Sequence, residues 1–327
     1  MTEIILSICI PTYNRSPIIY KTLDHLIKCK RNDIEIVVSD NASPDDTEIR
    51  IKSIEDPRVK YFKNQVNYGI DMNILKCVER AKGEFIYFIT DEDIINLELI
   101  PWIINLIKNI KELNLIIGSV LDKRNGLNNV VSKFKDRTFN PGPHAILNLF
   151  FREGYLAGII IRRGALNVSE AERYNGCIYI HQVLMLQAMK TGYAMTSSKI
   201  FCYIPDNKLI SEIYMLKDYC IDKPFYSPLG TFSQLEDRQK IINEILGEYP
   251  KIQLFLKNRE YKKWAEILAR TIFISPKNFI VEIYQILKIL RKNKEIVKTH
   301  IFIIEFLRKV KNYLTSKNYW FTKIFRI

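Results

Sequence analysis

Residues 1–204 of this 327-residue chain are predicted to adopt an α/β fold built on a mixed, mainly parallel sheet with flanking helices. Strand-like and helix-like segments alternate through the first 120 residues, the pattern of consecutive βα units. Helix-starting Ser-Pro pairs follow two of the strands closely. Polar clusters fall just after the apolar runs, at the strand ends where such sheets bind ligands.

Each element has its own signal. Ile4 to Ile10 is an apolar run of strand length. Ser16-Pro17 reads as an N-cap with proline in the first turn, and Ile19, Leu23, Leu26 and Ile27 give the helical spacing that follows. Ile34 to Val38 is a second strand, and Ser43-Pro44-Asp45-Asp46 repeats the cap-plus-proline device with two acids suited to the helix dipole. Arg58 to Lys63 is a third strand. A turn at Asn67 to Gly69 opens a helix to about Ala81, with Gly83 placed to terminate it. Glu84 to Ile89 is a fourth strand ending in Thr90-Asp91-Glu92-Asp93. A helix at Leu97 to Lys111 and a strand at Leu115 to Ser119 complete the first half, about 1–120.

The second half, about 121–204, is loop-rich to residue 160, then holds a strand at Tyr155 to Arg162 and a helix from Ile178 stopped at Gly192. Residues 205–327 read as a helical extension, with Ser233-x-x-Glu236 as a capping box and breaks at Ser275-Pro276 and near Asn293.

Composition narrows the class. With 47% hydrophobic and 12% aromatic residues a sizeable core is available, so disorder is excluded as the default. The six cysteines are scattered and form no C-x-x-C pair, which points to reduced buried thiols in a cytosolic protein. No secretory leader is visible, and no run approaches the ~20 apolar residues of a membrane span. The net charge of +13 lies wholly in residues 251–327, which hold 18 Lys and Arg against 5 Asp and Glu. That segment interleaves cations with apolar stripes such as Ile283, Ile286, Leu287 and Leu290, and Ile303, Ile304, Leu307 and Val310. Basic amphipathic helices suit an anionic membrane surface, and the aromatic, basic terminus suits its interface. A cytoplasmic protein held peripherally on the inner face of the plasma membrane is the expectation.

The chemistry gathers in the loops. Three adjacent acids, Asp91, Glu92 and Asp93, at the end of a buried strand are costly without a compensating cation. Hard divalent cations take carboxylate oxygens and leave positions open for phosphate. An acidic helix N-terminus is the structural alternative. Asp40 stands where a carboxylate accepts from a base edge, or else organises its own turn. No G-x-G-x-x-G follows the first strand, which disfavours a dinucleotide oxidoreductase.

Four segments in order carry a family resemblance. They are Ser7-Ile8-Cys9-Ile10-Pro11-Thr12-Tyr13-Asn14-Arg15, Val37-Val38-Ser39-Asp40-Asn41-Ala42-Ser43, Asn67-Tyr68-Gly69 with Asn73, and Ala81-Lys82-Gly83-Glu84 running on to Asp93. Together they resemble glycosyltransferase family 2, and within it the abequosyltransferase-like bacterial surface-polysaccharide enzymes. The resemblance is close over about 4–120 and looser to about 204.

It implies a GT-A fold, Rossmann-like, and inverting transfer of a sugar from a nucleoside-diphosphate sugar to a glycan acceptor, commonly polyprenyl-diphosphate-linked. It also implies a divalent cofactor, Mn2+ or Mg2+. Pro11, Thr12, Tyr13, Arg15 and Asp40 would hold the nucleotide side. Asn67, Gly69 and Asn73 would lie near the base or diphosphate. Asp91 and Asp93 would form the D-x-D metal pair, with Glu92 between them. The family's usual Glu-Asp pair before the glycine of a late helix falls here on Ile180 and His181. His181 is therefore the candidate base, able to act near neutral pH, with Glu170 and Glu172 the nearest acids. Arg162 and Arg163 are candidates to meet diphosphate or an anionic acceptor. A non-catalytic scaffold of the same fold is one alternative. A nucleic-acid-binding protein acting through the basic segment is another, but no recognition motif supports it and no nucleic-acid partner is expected.

Overall fold

The computed structural model describes residues 3–123, 129–152, 155–177, 179–205, 228–274 and 300–315. The chain divides into two compact units, Met1–Ile221 and Asp222–Ile327.

The first unit is one mixed sheet with helices against it. Strands β1 (Leu6–Thr12), β2 (Ile34–Asp40), β3 (Val59–Lys63) and β4 (Phe85–Phe88) pair in parallel in the order β3-β2-β1-β4. The helices among them are α1 (Ser16–Leu26), α2 (Thr47–Lys52) and α3 (Ile70–Arg80). After β4 come β5 (Ile94–Ile95), α4 (Ile100–Asn109), β6 (Leu113–Asp122), β7 (Asn129–Ser132), β8 (Arg137–Phe139) and α5 (Pro143–Leu149). Then follow β9 (Ile159–Arg162), α6 (Val168–Glu172), α7 (Ile180–Thr191) and β10 (Tyr193–Ile204). Strand β9 inserts antiparallel between β4 and β6, and β10 pairs parallel to β6.

Strand periodicity distributes the core. Leu6, Ile8 and Ile10 point to one face, where they pack with Ile19, Leu23 and Leu26 of α1 and Ile100, Ile103, Ile104 and Ile107 of α4. On the other face the Cys9 thiol reaches the Cys77 carbonyl of α3 at 3.7 Å. All strand residues of β1 and β2 are buried, as expected for parallel strands covered on both faces. Cys9, Cys29, Cys77, Cys177 and Cys202 are buried free thiols, as expected, and Cys220 lies outside the described residues.

Several local expectations change. Helix α1 begins at Ser16 itself, with no capping bond from a side chain of its own N-cap. Its first N–H is met from another loop, by Asp45 Oδ2 at 3.0 Å. The other oxygen of Asp45 accepts from the backbone N–H of Thr47 at 3.1 Å, so one carboxylate serves the starts of α1 and α2. Ser43 caps no helix: its hydroxyl donates to Asp40 and its oxygen accepts the Asn14 N–H at 2.9 Å, while α2 begins only at Thr47.

Gly83 does not end α3, which stops at Arg80 with Ala81 already extended. A Cβ on Gly83 would lie 2.6 Å from the Ser7 backbone nitrogen, so glycine is required there by contact with β1. Gly192 does follow α7, but its backbone is extended, and a Cβ would meet the Asn114 side chain at 2.3 Å. Both glycines are fixed by close packing rather than by a left-handed turn.

The second unit contains α8 (Pro228–Ile245), α9 (Pro250–Ile274) and α10 (His300–Thr315). Ser233 and Glu236 lie inside α8 rather than opening it; proline starts the helix, where its missing N–H costs nothing. Glu260 of α9 is fully buried and takes Arg238 of α8 at 3.1 Å. Lys309 of α10 pairs with Glu266 of α9 at 2.6 Å. Phe302 is buried, while Ile303, Ile304 and Leu307 of α10 are exposed. The expected breaks at Ser275-Pro276 and Asn293, and the stripe at 283–290, lie outside the described residues. Among the described residues no helix is long and apolar enough to cross a membrane.

Candidate active site at the strand ends

The carboxyl ends of β1, β2 and β4 deliver the predicted residues to one place. Pro11, Thr12, Tyr13, Asn41, Asn67 and Asn73 line a small crevice of about 10 Å3. Its walls are held by side-chain amides. Asn41 Nδ2 donates to Asn67 Oδ1 at 2.6 Å and to the Gly69 carbonyl at 3.1 Å. Asn67 Oδ1 also accepts from the Gly69 N–H at 2.9 Å, and Gly69 takes a φ of 83°, a conformation open chiefly to glycine. Asn73 Nδ2 donates to the Ser39 carbonyl at 2.9 Å, and its Oδ1 accepts from Ser39 Oγ at 2.6 Å. Asn41, Ser39 and Asn64 were not singled out from sequence as site residues; only tertiary packing brings their amides and hydroxyl together.

Asp40 is buried and organises its turn. Its Oδ1 accepts from the Ser43 N–H at 2.9 Å and the Ser43 hydroxyl at 2.5 Å. Its Oδ2 accepts from Tyr61 of β3 at 2.6 Å. Burial, and then this bond to Asp40, raise the Tyr61 pKa. Asn14 and Ala42 both sit in the left-handed region, with φ of 54° and 62°. Two such residues at adjacent strand ends mark a backbone shaped by its surroundings.

The acidic cluster is a charge network. Asp91 is 1% exposed. Thr12 Oγ1 donates to its Oδ2 at 2.8 Å, and Arg15 Nη1 lies 3.2 Å from its Oδ1. The same Arg15 nitrogen reaches Glu92 Oε2 at 2.9 Å. The Thr22 hydroxyl of α1 donates to the Asp91 carbonyl at 2.6 Å. Burial pushes Asp91 up to about 6, against the pull of Arg15.

Asp93 is built differently. Fully buried, it accepts from the Thr90 N–H at 3.2 Å and hydroxyl at 2.5 Å, and from the Tyr155 hydroxyl at 2.9 Å. None of these partners carries positive charge. Burial raises Asp93 to about 7, with Glu92 adding to the rise. Burial and the neighbouring Asp93 charge raise Tyr155 in turn. Tyr155 was read from sequence only as the start of a strand; β9 begins at Ile159, which leaves Tyr155 in the preceding loop, free to turn onto Asp93. Among the described residues no cluster of three or more His, Cys, Asp or Glu forms a ready metal site.

His181 lies in the first turn of α7 and is buried. Its ring is 6.0 Å from that of Tyr179, which meets Phe151 edge-on at 6.2 Å. Phe151 leads along the chain to Tyr155. On the other side, the Ile180 N–H donates to Asp71 Oδ1 of α3 at 3.4 Å. The start of α7 thus touches the helix carrying Asn73. Glu170 is tied to Gln187 Nε2 at 3.1 Å, inside the α6–α7 packing.

Arg162 and Arg163 do not meet this site. Because β9 runs antiparallel to β4, Arg162 pairs with Phe85 at the opposite end of β4 from Asp91. It bonds Glu84 and the carbonyls of Leu113 at 2.8 Å and Lys111 at 2.9 Å. Arg163 donates to the Gly83 carbonyl at 2.9 Å.

Residues 7–164 match the Glycosyl transferase family 2 model. A Campylobacter jejuni protein named GalNAc(5)-diNAcBac-PP-undecaprenol beta-1,3-glucosyltransferase is 38% identical over 92 residues, covering 27% of this chain and 29% of the relative. Abequosyltransferase RfbV of Salmonella typhimurium is 36% identical over 94 residues, covering 27% of this chain and 28% of the relative. The chain therefore aligns with less than a third of the length of these curated relatives. The structure of S. aureus TarS 1-349 in complex with UDP-GlcNAc superposes with a TM-score of 0.63 at 19% identity, covering 95% of this chain and 92% of that one. That likeness identifies the fold as GT-A. The strand-end site is thus set in a Glycosyl transferase family 2 domain, which the chain carries over residues 7–164.

Proposed function

We propose that this chain is a glycosyltransferase. It moves a sugar, with inversion, from a nucleoside-diphosphate sugar to a lipid-linked glycan acceptor in bacterial surface-polysaccharide synthesis, and it depends on a divalent cation. The observation that carries the reading is Asp93, a fully buried carboxylate whose partners among the described residues are all neutral donors. Beside it the charge of Asp91 is already met by Arg15. A buried charge without a counter-ion is costly, so Asp93 fits a site that receives a cation together with its ligand. Asp93 would hold Mn2+ or Mg2+, with Asp91 alongside, and such an ion would neutralise the charge of a diphosphate leaving group.

The remaining roles belong to the chain itself. Pro11, Thr12, Tyr13, Asn41, Asn67 and Asn73 offer their rim to the nucleoside side of the donor, since the crevice between them has room for about one water. Asp40 keeps that loop in shape. Arg15 fixes the orientation of the Asp91–Glu92 pair beside the donor site. The named activities of the relatives, one on an undecaprenyl-diphosphate-linked acceptor, support this substrate class. The exposed Ile303, Ile304 and Leu307 beside Arg308 and Lys311 support peripheral attachment of the second unit to an anionic bilayer.

Melting temperature against a panel of nucleoside-diphosphate sugars, with and without manganese, tests the reading. One nucleotide class should raise it only with manganese, by about 2.7 kcal/mol of stabilisation at a hundred times Kd. No response to any donor would remove the transferase assignment. His181 is assigned as the base that takes the acceptor proton. His181→Ala should lower turnover about a hundredfold or more while sparing the donor-induced shift in melting temperature. Full turnover in that variant would exclude the role.

A further inference from the structure

A second concavity, away from the strand-end crevice, lies between the β7–β8 connection, α5 and β10, with a volume of about 390 Å3. Lys133, Lys135, Arg137 and Arg152 line it together with Asn148 and Thr196. No described carboxylate lines it, and none of the four cations forms an ion pair with a described residue. The nearest acid in sequence, Asp136, is held by Ser197 Oγ at 3.0 Å and by Ser198 N at 2.8 Å. The loop itself is anchored, since Thr196 Oγ1 donates to the Lys135 carbonyl at 2.6 Å.

Four like charges around one concavity repel one another and focus a positive field into it. Residues 1–250 carry 31 cations and 31 anions, so this clustering is local rather than a general basic character. Arginine forks are matched to phosphate oxygens, and the volume suits a small charged ligand. Arg152 also ties the cavity to the chemistry. It stands three residues before Tyr155, whose hydroxyl is 2.9 Å from Asp93. Three residues separate the two Cα atoms by at most ~10 Å, which puts the backbone of the cavity wall beside that of the Asp93 partner.

We propose that this cavity binds a phosphate-bearing part of the acceptor while the acceptor hydroxyl lies at the strand ends. The proposal rests on the transferase reading for the word acceptor, but not for the binding itself. The chemistry recognised is a phosphate or diphosphate anion, carried either by the lipid or by the glycan.

Titration calorimetry on the full chain tests it with three probes: inorganic pyrophosphate, geranyl diphosphate for the lipid source and N-acetylglucosamine 6-phosphate for the glycan source. The protein should bind pyrophosphate, and Arg137→Glu with Arg152→Glu should weaken it about tenfold or more. The tighter of the two organic probes, if equally weakened, names the source. All four side chains are exposed, so the substitutions spare the core, and Lys133→Gln with Arg137→Gln gives a milder second variant. Pyrophosphate affinity unchanged in both variants would overturn the proposal. So would binding that Asp93→Ala removes and the double variants retain, since the anion would then sit at the strand ends. A protein that answers no nucleotide donor yet binds phosphate through Arg137 and Arg152 would sink the transfer reading alone.

Discussion

Asp93→Ala should abolish the manganese-dependent rise in melting temperature and lower turnover by at least about 10²–10³-fold, the cost of losing one preorganised electrostatic group. The expectation follows from what surrounds the carboxylate. Thr90 and Tyr155 hold both oxygens, and burial lifts the group to about 7. With no positive group among its described partners, the ionised form gains most from an arriving cation. The variant should stay folded, because alanine removes a buried charge that the fold itself does not compensate. Thr90 and Tyr155 each lose an acceptor, but neither residue is fully buried. Donor binding that keeps its manganese dependence in the variant would refute the assignment of Asp93.

Arg15→Ala should cost about 3–5 kcal/mol, because it leaves two buried carboxylates without their shared cation. Arg15 is 5% exposed and its Nη1 bridges Asp91 and Glu92, which are 1% and 5% exposed. The deficit should depend on pH, with a definite sign. Asp91 titrates in the folded protein at about 6, above its ordinary 3.8. Its contribution is therefore fully present below the ordinary value and is lost as pH rises through about 6. Removing Arg15 removes a downward pull on that value, so the window widens upward. Urea unfolding at pH 5 and pH 8 should show a larger deficit at pH 8. Equal deficits at both would mean that Arg15 acts through packing alone.

Much of the first unit was legible before folding. The βα alternation, the apolar strands and the polar strand ends are local signals, and each survives in β1 to β4 and α1 to α4. Boundaries shifted by a few residues where the signal was one of composition. Capping was misread at Ser16, Ser43 and Ser233, because a serine-proline pair or a capping-box spacing reports only local possibilities. The actual cap of α1 comes from Asp45, 29 residues away in sequence. The direction of β9 was not legible, since an apolar run carries no sign. That direction alone moves Arg162 and Arg163 to the far end of the sheet.

Periodicity and local polarity already carry the fold class, the convergence of three polar loops and the identity of the acidic cluster, because strand ends follow from periodicity. How charge is shared inside that cluster depends instead on long-range packing. Arg15 meets Asp91 across 76 positions and Glu92 across 77. Tyr155 meets Asp93 across 62. No local pattern records contacts of that range. The difference between Asp91, paired with Arg15, and Asp93, whose described partners are all neutral, arises from which side chains the folded sheet places beside each one.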